Sequence, residues 1–199
     1  MRAQALIGLA TRRKTARKFA KTPISMEDVL YCIRVAVQAP SGANRQPWRF
    51  LIVDDPNLRG RIRAASEEQE KLFHASADLR LQKWFQSKNI NWDKPFLTDA
   101  PLLLAVFSDQ NIIYAAESTW LAIGYIILAL EEKGLATVVY TPPYPKDLRS
   151  LFNAPPEYRL EAILPIGYST DPKPKEERRP LESFIFRNSW DNSTLTRGL

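Results

Sequence analysis

Apolar positions along the chain fall into short periodic runs separated by breakers, and each run has the length of one helix or one strand. After Pro23-Ile24-Ser25, the residues Met26, Val29, Leu30, Ile33, Ala36 and Val37 recur every three to four positions. This predicts an amphipathic helix with Ser25 as N-cap and Asp28 three positions on. Ala39-Pro40-Ser41-Gly42 stops it. Arg49 to Asp54 reads as a short strand, and Asp55-Pro56 as the N-cap and first position of a second helix whose Leu58, Ile62, Ala65 and Leu72 face inward. Residues 75–97 carry Trp84, Phe85, Trp92 and Phe96 with no clean period, the pattern of a surface hairpin or a mobile lid.

Pro101 to Phe107 is a continuous apolar run of strand length, as expected for a strand buried on both faces. Ile112 to Glu132 reads as a long helix, apolar over most of its surface from Trp120 to Leu130 and closed by Lys133-Gly134. Such a helix belongs at the centre of a fold and against a second subunit. Leu135 to Tyr140 is a further strand, broken by Thr141-Pro142-Pro143-Tyr144-Pro145. A short helix from Asp147 to Phe152 and a last strand from Leu160 to Ile166 follow, ending at Gly167-Tyr168. With no repeat and no dividing linker, residues 1–199 are expected to form one α/β or α+β sandwich. Residues 1–11 make an N-terminal arm and 170–199 a C-terminal extension rich in Pro and charge near its start.

Composition narrows the chemistry. The one cysteine is Cys32, so neither an intrachain disulfide nor a cysteine-based zinc site is available, and no metal site is expected. No apolar stretch approaches the ~20 residues that span a bilayer, and the apolar run Ala5 to Ala10 is too short for a secretory signal. A cytoplasmic protein with no membrane partner is the expectation. GxGxxG and Walker A sequences are missing, as is a GxSxG elbow to accompany the single histidine, His74. The usual dinucleotide and triphosphate folds and a Ser-His-Asp hydrolase are thereby disfavoured.

The net charge of +6 is local: Arg2, Arg12, Arg13, Lys14, Arg17, Lys18 and Lys21 crowd the first 21 residues with no acid among them. A second knot, Lys173, Lys175, Arg178 and Arg179, lies near the other end. Two basic segments from opposite ends can build one anion site, or be two solvated ends. A polyanion-binding module is the competing class, but no nucleic-acid motif or aromatic interleaving supports it, and no nucleic-acid partner is expected.

The order Arg13-Lys14-Thr15-Ala16-Arg17-Lys18-Phe19, Ala39-Pro40-Ser41-Gly42-Ala43-Asn44-Arg45-Gln46-Pro47-Trp48, Ala100-Pro101, Leu164-Pro165-Ile166-Gly167-Tyr168 and Arg178-Arg179-Pro180-Leu181 resembles the FMN-dependent nitroreductase family. The resemblance implies an α+β three-layer sandwich, a mostly antiparallel sheet between helices, in a domain-swapped type of homodimer with FMN at the subunit interface. It assigns Arg13, Lys14, Thr15 and Arg17 to the flavin phosphate and ribityl chain, with Arg178 closing that cluster. It assigns Pro40, Ser41, Gly42 and Asn44 to a loop laid beside the flavin by the partner, with Ala43 next to substrate. Thr141 is implied at flavin N5, the catalytic position. Arginine forks suit a phosphate, and Gly42 suits close backbone approach.

Asn91-Trp92-Asp93-Lys94-Pro95-Phe96-Leu97 followed by Ala100-Pro101 resembles the lid of the iodotyrosine deiodinase subgroup, in which a Glu, a Tyr and a Lys hold the zwitterion of a halotyrosine. Glu70 and Lys94 match the Glu and Lys. The Tyr position falls on His74, a departure that removes a phenol donor. The broader expectation is therefore an oxidoreductase passing electrons from NADH or NADPH through FMN to a small aromatic acceptor such as a nitroaromatic or quinone. Reductive dehalogenation of halotyrosines is the alternative.

Overall fold

The computed structural model describes residues 5–190, so Arg2 and the end of the C-terminal extension lie outside the described residues. Four strands, β1 (Trp48–Val53), β2 (Leu102–Asp109), β3 (Ala136–Thr137) and β4 (Tyr158–Gly167), form one sheet in the order β1-β2-β4-β3, every pair antiparallel. The helices are α1 (Ala5–Arg12), α2 (Met26–Ala36), α3 (Pro56–Ser76), α4 (Leu79–Lys88), α5 (Phe96–Asp99), α6 (Ala115–Glu132) and α7 (Pro145–Arg149).

The two-residue period of β2 explains the layers. Leu102, Leu104 and Val106 pack with Val29 and Cys32 of α2 and with Ala122, Ile126 and Leu130 of α6. Leu103, Ala105 and Phe107 point the other way, onto Ile62 of α3, Phe96 and Leu97 of α5 and Leu148 of α7. This is the expected α+β three-layer sandwich, with β2 buried on both faces. Each fully buried Leu or Ile contributes about 1.5–3 kcal/mol, so the sheet centre is the rigid frame for everything at its edges. Burial also pushes the Cys32 thiol up to about 11, and the thiol is inert packing.

Several sequence expectations shift in detail. Ser25 is an N-cap through its backbone carbonyl, which accepts from the Val29 amide at 3.2 Å, and not through its hydroxyl. Asp55 caps α3 with its side chain, accepting from the amides of Asn57 and Leu58. Leu72 is exposed, because beyond Ala65 the inward face of α3 is polar: Ser66, Gln69 and Glu70 are the buried positions there. α6 begins at Ala115 after a left-handed Tyr114, and Gly134 supplies the left-handed stop at φ +68°. The helix at Asp147 to Phe152 starts earlier, at Pro145, and ends in a 3-10 turn, Ser150–Phe152.

Residues 75–97 are neither hairpin nor open loop. α3 runs on to Ser76, Asp78 caps α4 by accepting from the Leu81 amide, and left-handed Asn89 ends it. α4 shows no apolar period because it buries one side chain, Phe85. The strand expected at Leu135 to Tyr140 shrinks to two residues: Val138 and Val139 leave the ladder, and Tyr140 rejoins it by paired bonds to Ile163. Register between β2 and β4 slips at Val106/Phe107, leaving Glu161 as a bulge. Its buried carboxylate accepts from Ser108 Oγ at 2.6 Å and from Trp120 Nε1 at 3.1 Å.

The N-terminal segment then lies along the sheet edge. Thr15 bridges Thr137, the Ala16 amide donates to the Thr137 carbonyl, and Phe19 bridges Ser169. Phe19 and Pro101 close over Gly167, where an added Cβ would sit 2.8 Å from Pro101 Cδ. The spaced Ala-Pro and Ile-Gly-Tyr signals are thus one packing contact that seats the basic segment.

Candidate active site

Cations from the two ends of the chain do meet. The Lys14 ammonium donates to the carbonyls of Asp171 and Lys173 at 2.6 and 2.8 Å, and the Arg17 amide donates to Asp171 Oδ2 at 2.8 Å. The Lys175 ammonium caps α1, donating to the carbonyls of Ala10 and Thr11 at 2.6 and 2.8 Å. Burial disfavours the Asp171 charge, but amides of Arg17 and Lys173 and the nearby Lys14 and Arg17 cations outweigh it, holding the carboxyl below its usual range. The Lys175 ammonium is pushed down, first by desolvation and then by Arg13 and Arg178. That mutual repulsion marks a site short of negative charge.

These residues line a groove of about 530 Å³ that holds Arg13, Lys14, Thr15, Arg17 and Arg178 together. Seven basic side chains face it against two acidic ones, Asp171 and Glu176. Lys88 and Asn89, from the end of α4, reach the same groove.

A second groove of about 270 Å³ adjoins the first, sharing Arg17, Trp84, Asn89 and Ile90 with it. Its wall is Val138, Val139, Tyr140 and Thr141, the stretch that leaves β3, and Glu70, Lys94 and Phe96 face them. Glu70 Oε2 and Lys94 Nζ are 3.0 Å apart and almost wholly buried. Burying an ion pair is costly unless its geometry is held, and here it is: Glu67 Oε1 accepts from the Lys94 amide at 3.0 Å and from Arg63 Nε at 2.6 Å. Arg63 also reaches Asp93 and Thr98 at 2.9 Å each, and the Lys94 ammonium donates to the Asn91 carbonyl. The Tyr140 hydroxyl faces Glu70 and Ser66; burial first, and then the Glu70 charge, pushes its pKa far up, so it stays a neutral phenol.

His74 is not solvated, and it does not line the groove. Its ring stacks on Phe85 with centroids 4.2 Å apart and 13° between planes, while Nε2 stands 3.5 Å from Glu70 Oε2. Of the aromatic residues in the stretch 75–97, Trp84 lines both grooves, Phe85 is buried, and Trp92 points outward beneath the Lys71 ammonium.

The loop with Pro40, Ser41, Gly42, Ala43 and Asn44 lines neither groove. It sits at the start of α6, where the Gly42 amide donates to Ser118 Oγ at 3.4 Å and a Cβ at Gly42 would lie 3.6 Å from the Tyr114 ring. Ala43, Asn44 and Gln46 are all left-handed. The Ser41 hydroxyl, accepting from the Gln46 amide at 3.0 Å, holds that conformation.

Residues 10–168 match the nitroreductase family. The chain belongs to that family. Family relatives carry the resemblance further: the iodotyrosine deiodinase of Thermotoga neapolitana is 53% identical over 173 residues, covering 87% of this chain and 93% of that protein. The iodotyrosine deiodinase of Nematostella vectensis is 33% identical over 192 residues, covering 87% of this chain and 71% of its own length. A crystal structure of oxidized iodotyrosine deiodinase bound to FMN and 3-iodo-L-tyrosine aligns with a TM-score of 0.87 at 50% identity, covering 92% of this chain and 98% of that one.

Asp171, Glu67, Arg63 and Tyr140 escaped the sequence reading. The (i, i+4) spacing of Arg63 and Glu67 was a usable signal, whereas nothing local marks Asp171 or Tyr140.

Proposed function

We propose that this protein is an FMN-dependent reductive dehalogenase of halotyrosines, acting as a homodimer. The order of the two readings drawn from sequence is thereby reversed. The buried Glu70–Lys94 pair carries the proposal. Opposite charges 3.0 Å apart, buried at the apolar Phe96–Val138 wall, suit a ligand with an ammonium and a carboxylate on one carbon. A nitroaromatic or quinone needs neither charge. Relatives named as iodotyrosine deiodinases at 53% and 33% identity support the same choice.

The residues present fit FMN. Arg13, Lys14 and Arg178 stand where a phosphate dianion relieves the repulsion felt by Lys175, and the adjoining groove is lined by the apolar Val138 and Val139 and by Thr141. When bound, the flavin supplies the two electrons that, with one proton, convert an aryl halide to arene and halide. The chain's own residues bind and orient. Glu70 takes the substrate ammonium, Lys94 its carboxylate, Thr141 offers a hydroxyl toward the ring, and Trp84 excludes water from the shared rim. NADH or NADPH is the donor in this proposal.

The homodimer rests on exposed apolar side chains of neighbouring helices: Leu6 and Ile7 on α1, Leu30 on α2, and Trp120, Leu121 and Tyr125 on α6. The strained loop at Pro40–Asn44 lines neither of the two grooves described, so a second subunit is the route by which it reaches a flavin. The test is anaerobic turnover of 3-iodo-L-tyrosine by purified protein, reading flavin absorbance and released iodide. Glu70→Gln and Lys94→Ala should impair iodotyrosine turnover while sparing ortho-iodophenol, which has no head group. Equal loss on both ligands, or protein that takes up no flavin, overturns the reading.

A further inference from the structure

A third groove lies apart from the two described above and shares no lining residue with them. It runs between the stretch 143–149 and the start of β4 and encloses about 350 Å³, within the range of small-molecule sites. Its walls are preformed. Pro143 and Pro145 fix the backbone on one side, Leu160 on the other belongs to the core, and the Arg49 guanidinium steadies the Tyr158 ring from 5.5 Å above its centroid. Tyr144, by contrast, is exposed, a large aromatic side chain left beside an open groove. None of the apolar side chains assigned above to a second subunit lines this groove.

Charge decides what such a groove takes. Lys146, Arg149 and Arg159 line it with one carboxylate, Asp147, and Glu161 matches Arg159 from outside, 3.6 Å from its Nε. Three cations against two carboxylates leave one positive charge over. Arg149 donates from Nη1 to the Pro156 carbonyl at 2.7 Å, which sets the plane of its fork without neutralising it. Among the described residues no carboxylate pairs with Arg149 or with Lys146. A held guanidinium and an ammonium beside proline and tyrosine rings suit a ligand with a flat apolar body and a single carboxylate. An aryl amine meets the wrong sign, and a neutral aryl compound leaves both cations unmatched. We infer that this groove is a binding site for a small aromatic monocarboxylate, its ring against Tyr144 and the two prolines and its carboxylate on Arg149 and Lys146. The site is separate from halotyrosine turnover and does not depend on it.

The experiment adds phenylpropionate to the full chain as purified, without reductant, and follows backbone amide shifts by nuclear magnetic resonance. Phenylpropanol and phenethylamine serve as its neutral and cationic counterparts. Phenylpropionate should give saturable shifts at Tyr144, Lys146 and Arg159 with a Kd of about 1 mM or tighter, and the other two probes should not. Lys146→Glu and Tyr144→Ala change exposed side chains. Each should weaken phenylpropionate binding roughly tenfold, the scale of one hydrogen bond to a charged group, with flavin absorbance per chain unchanged. Shifts confined to Glu70, Lys94 and Thr141 put the probe in the substrate groove and overturn the assignment. Equal shifts from phenylpropanol, or an affinity unaltered in Lys146→Glu, overturn it too. So do silent amides along 144–149, the result expected if a second copy of the chain covers the groove. Iodide release from 3-iodo-L-tyrosine is read separately, and its failure bears on the dehalogenase reading alone.

Discussion

Ala43, Asn44 and Gln46 hold a left-handed backbone that a Cβ disfavours by about 1–2 kcal/mol per residue. Strain of this kind persists where surrounding structure imposes it, commonly at functional sites. Ala43→Gly should therefore raise stability by about 1 kcal/mol in denaturant titration, while loosening flavin retention by the dimer. Arg13 and Arg178 face the same groove from opposite ends of the chain. Replacing either with Ala should weaken FMN binding by about 1.5–3 kcal/mol, the range for a charged hydrogen bond, measurable by flavin fluorescence on dilution. Side chains of this sort were legible in the sequence in two ways: Glu70 and Lys94 through the resemblance of the lid stretch, and Arg13 and Arg17 through local clustering of charge. Asp171 and Tyr140 were not, since their partners lie 154 residues away for Asp171 and across a groove that local spacing does not reveal for Tyr140.

Helices and strands were legible where one face meets the core. α2 carries its period openly because one face meets the core, whereas β2 reads as an unbroken apolar run because both of its faces are buried, and the body of α6 as a mostly apolar one. α4 shows no such pattern, having one buried residue, and the short β3 shows none, because Val138 and Val139 leave the ladder at the groove wall. The loop carrying Lys94 hangs on α3 through Glu67, whose carboxyl is desolvated yet kept below its usual range by the Lys94 amide, Arg63 and Asp93. A lowered carboxyl contributes its stabilisation above the unfolded value, about 4.3 for Glu, and loses it as pH falls through the folded one. Iodotyrosine binding should hence tolerate mild acid. Glu67→Gln should raise KM for iodotyrosine several-fold without a comparable effect on ortho-iodophenol, and the increase should be present at neutral pH.

At the scale of the molecule, the exposed apolar face shared by α1, α2 and α6 argues for a partner copy. Leu121→Asp should give a monomer by light scattering, and with it loss of bound flavin. The rest of the anion groove depends on the tie between Asp171 and the Lys14–Arg17 segment. The last strand, β4, is complete at Gly167, before Asp171 and Lys173, the C-terminal half of that tie, have been added. A growing chain can therefore have its four strands in place while, on the proposed reading, the flavin's phosphate still has half a cradle. On that reading, loading of the prosthetic group waits for the second cationic stretch, which makes cofactor uptake a late check on a sheet that has already assembled.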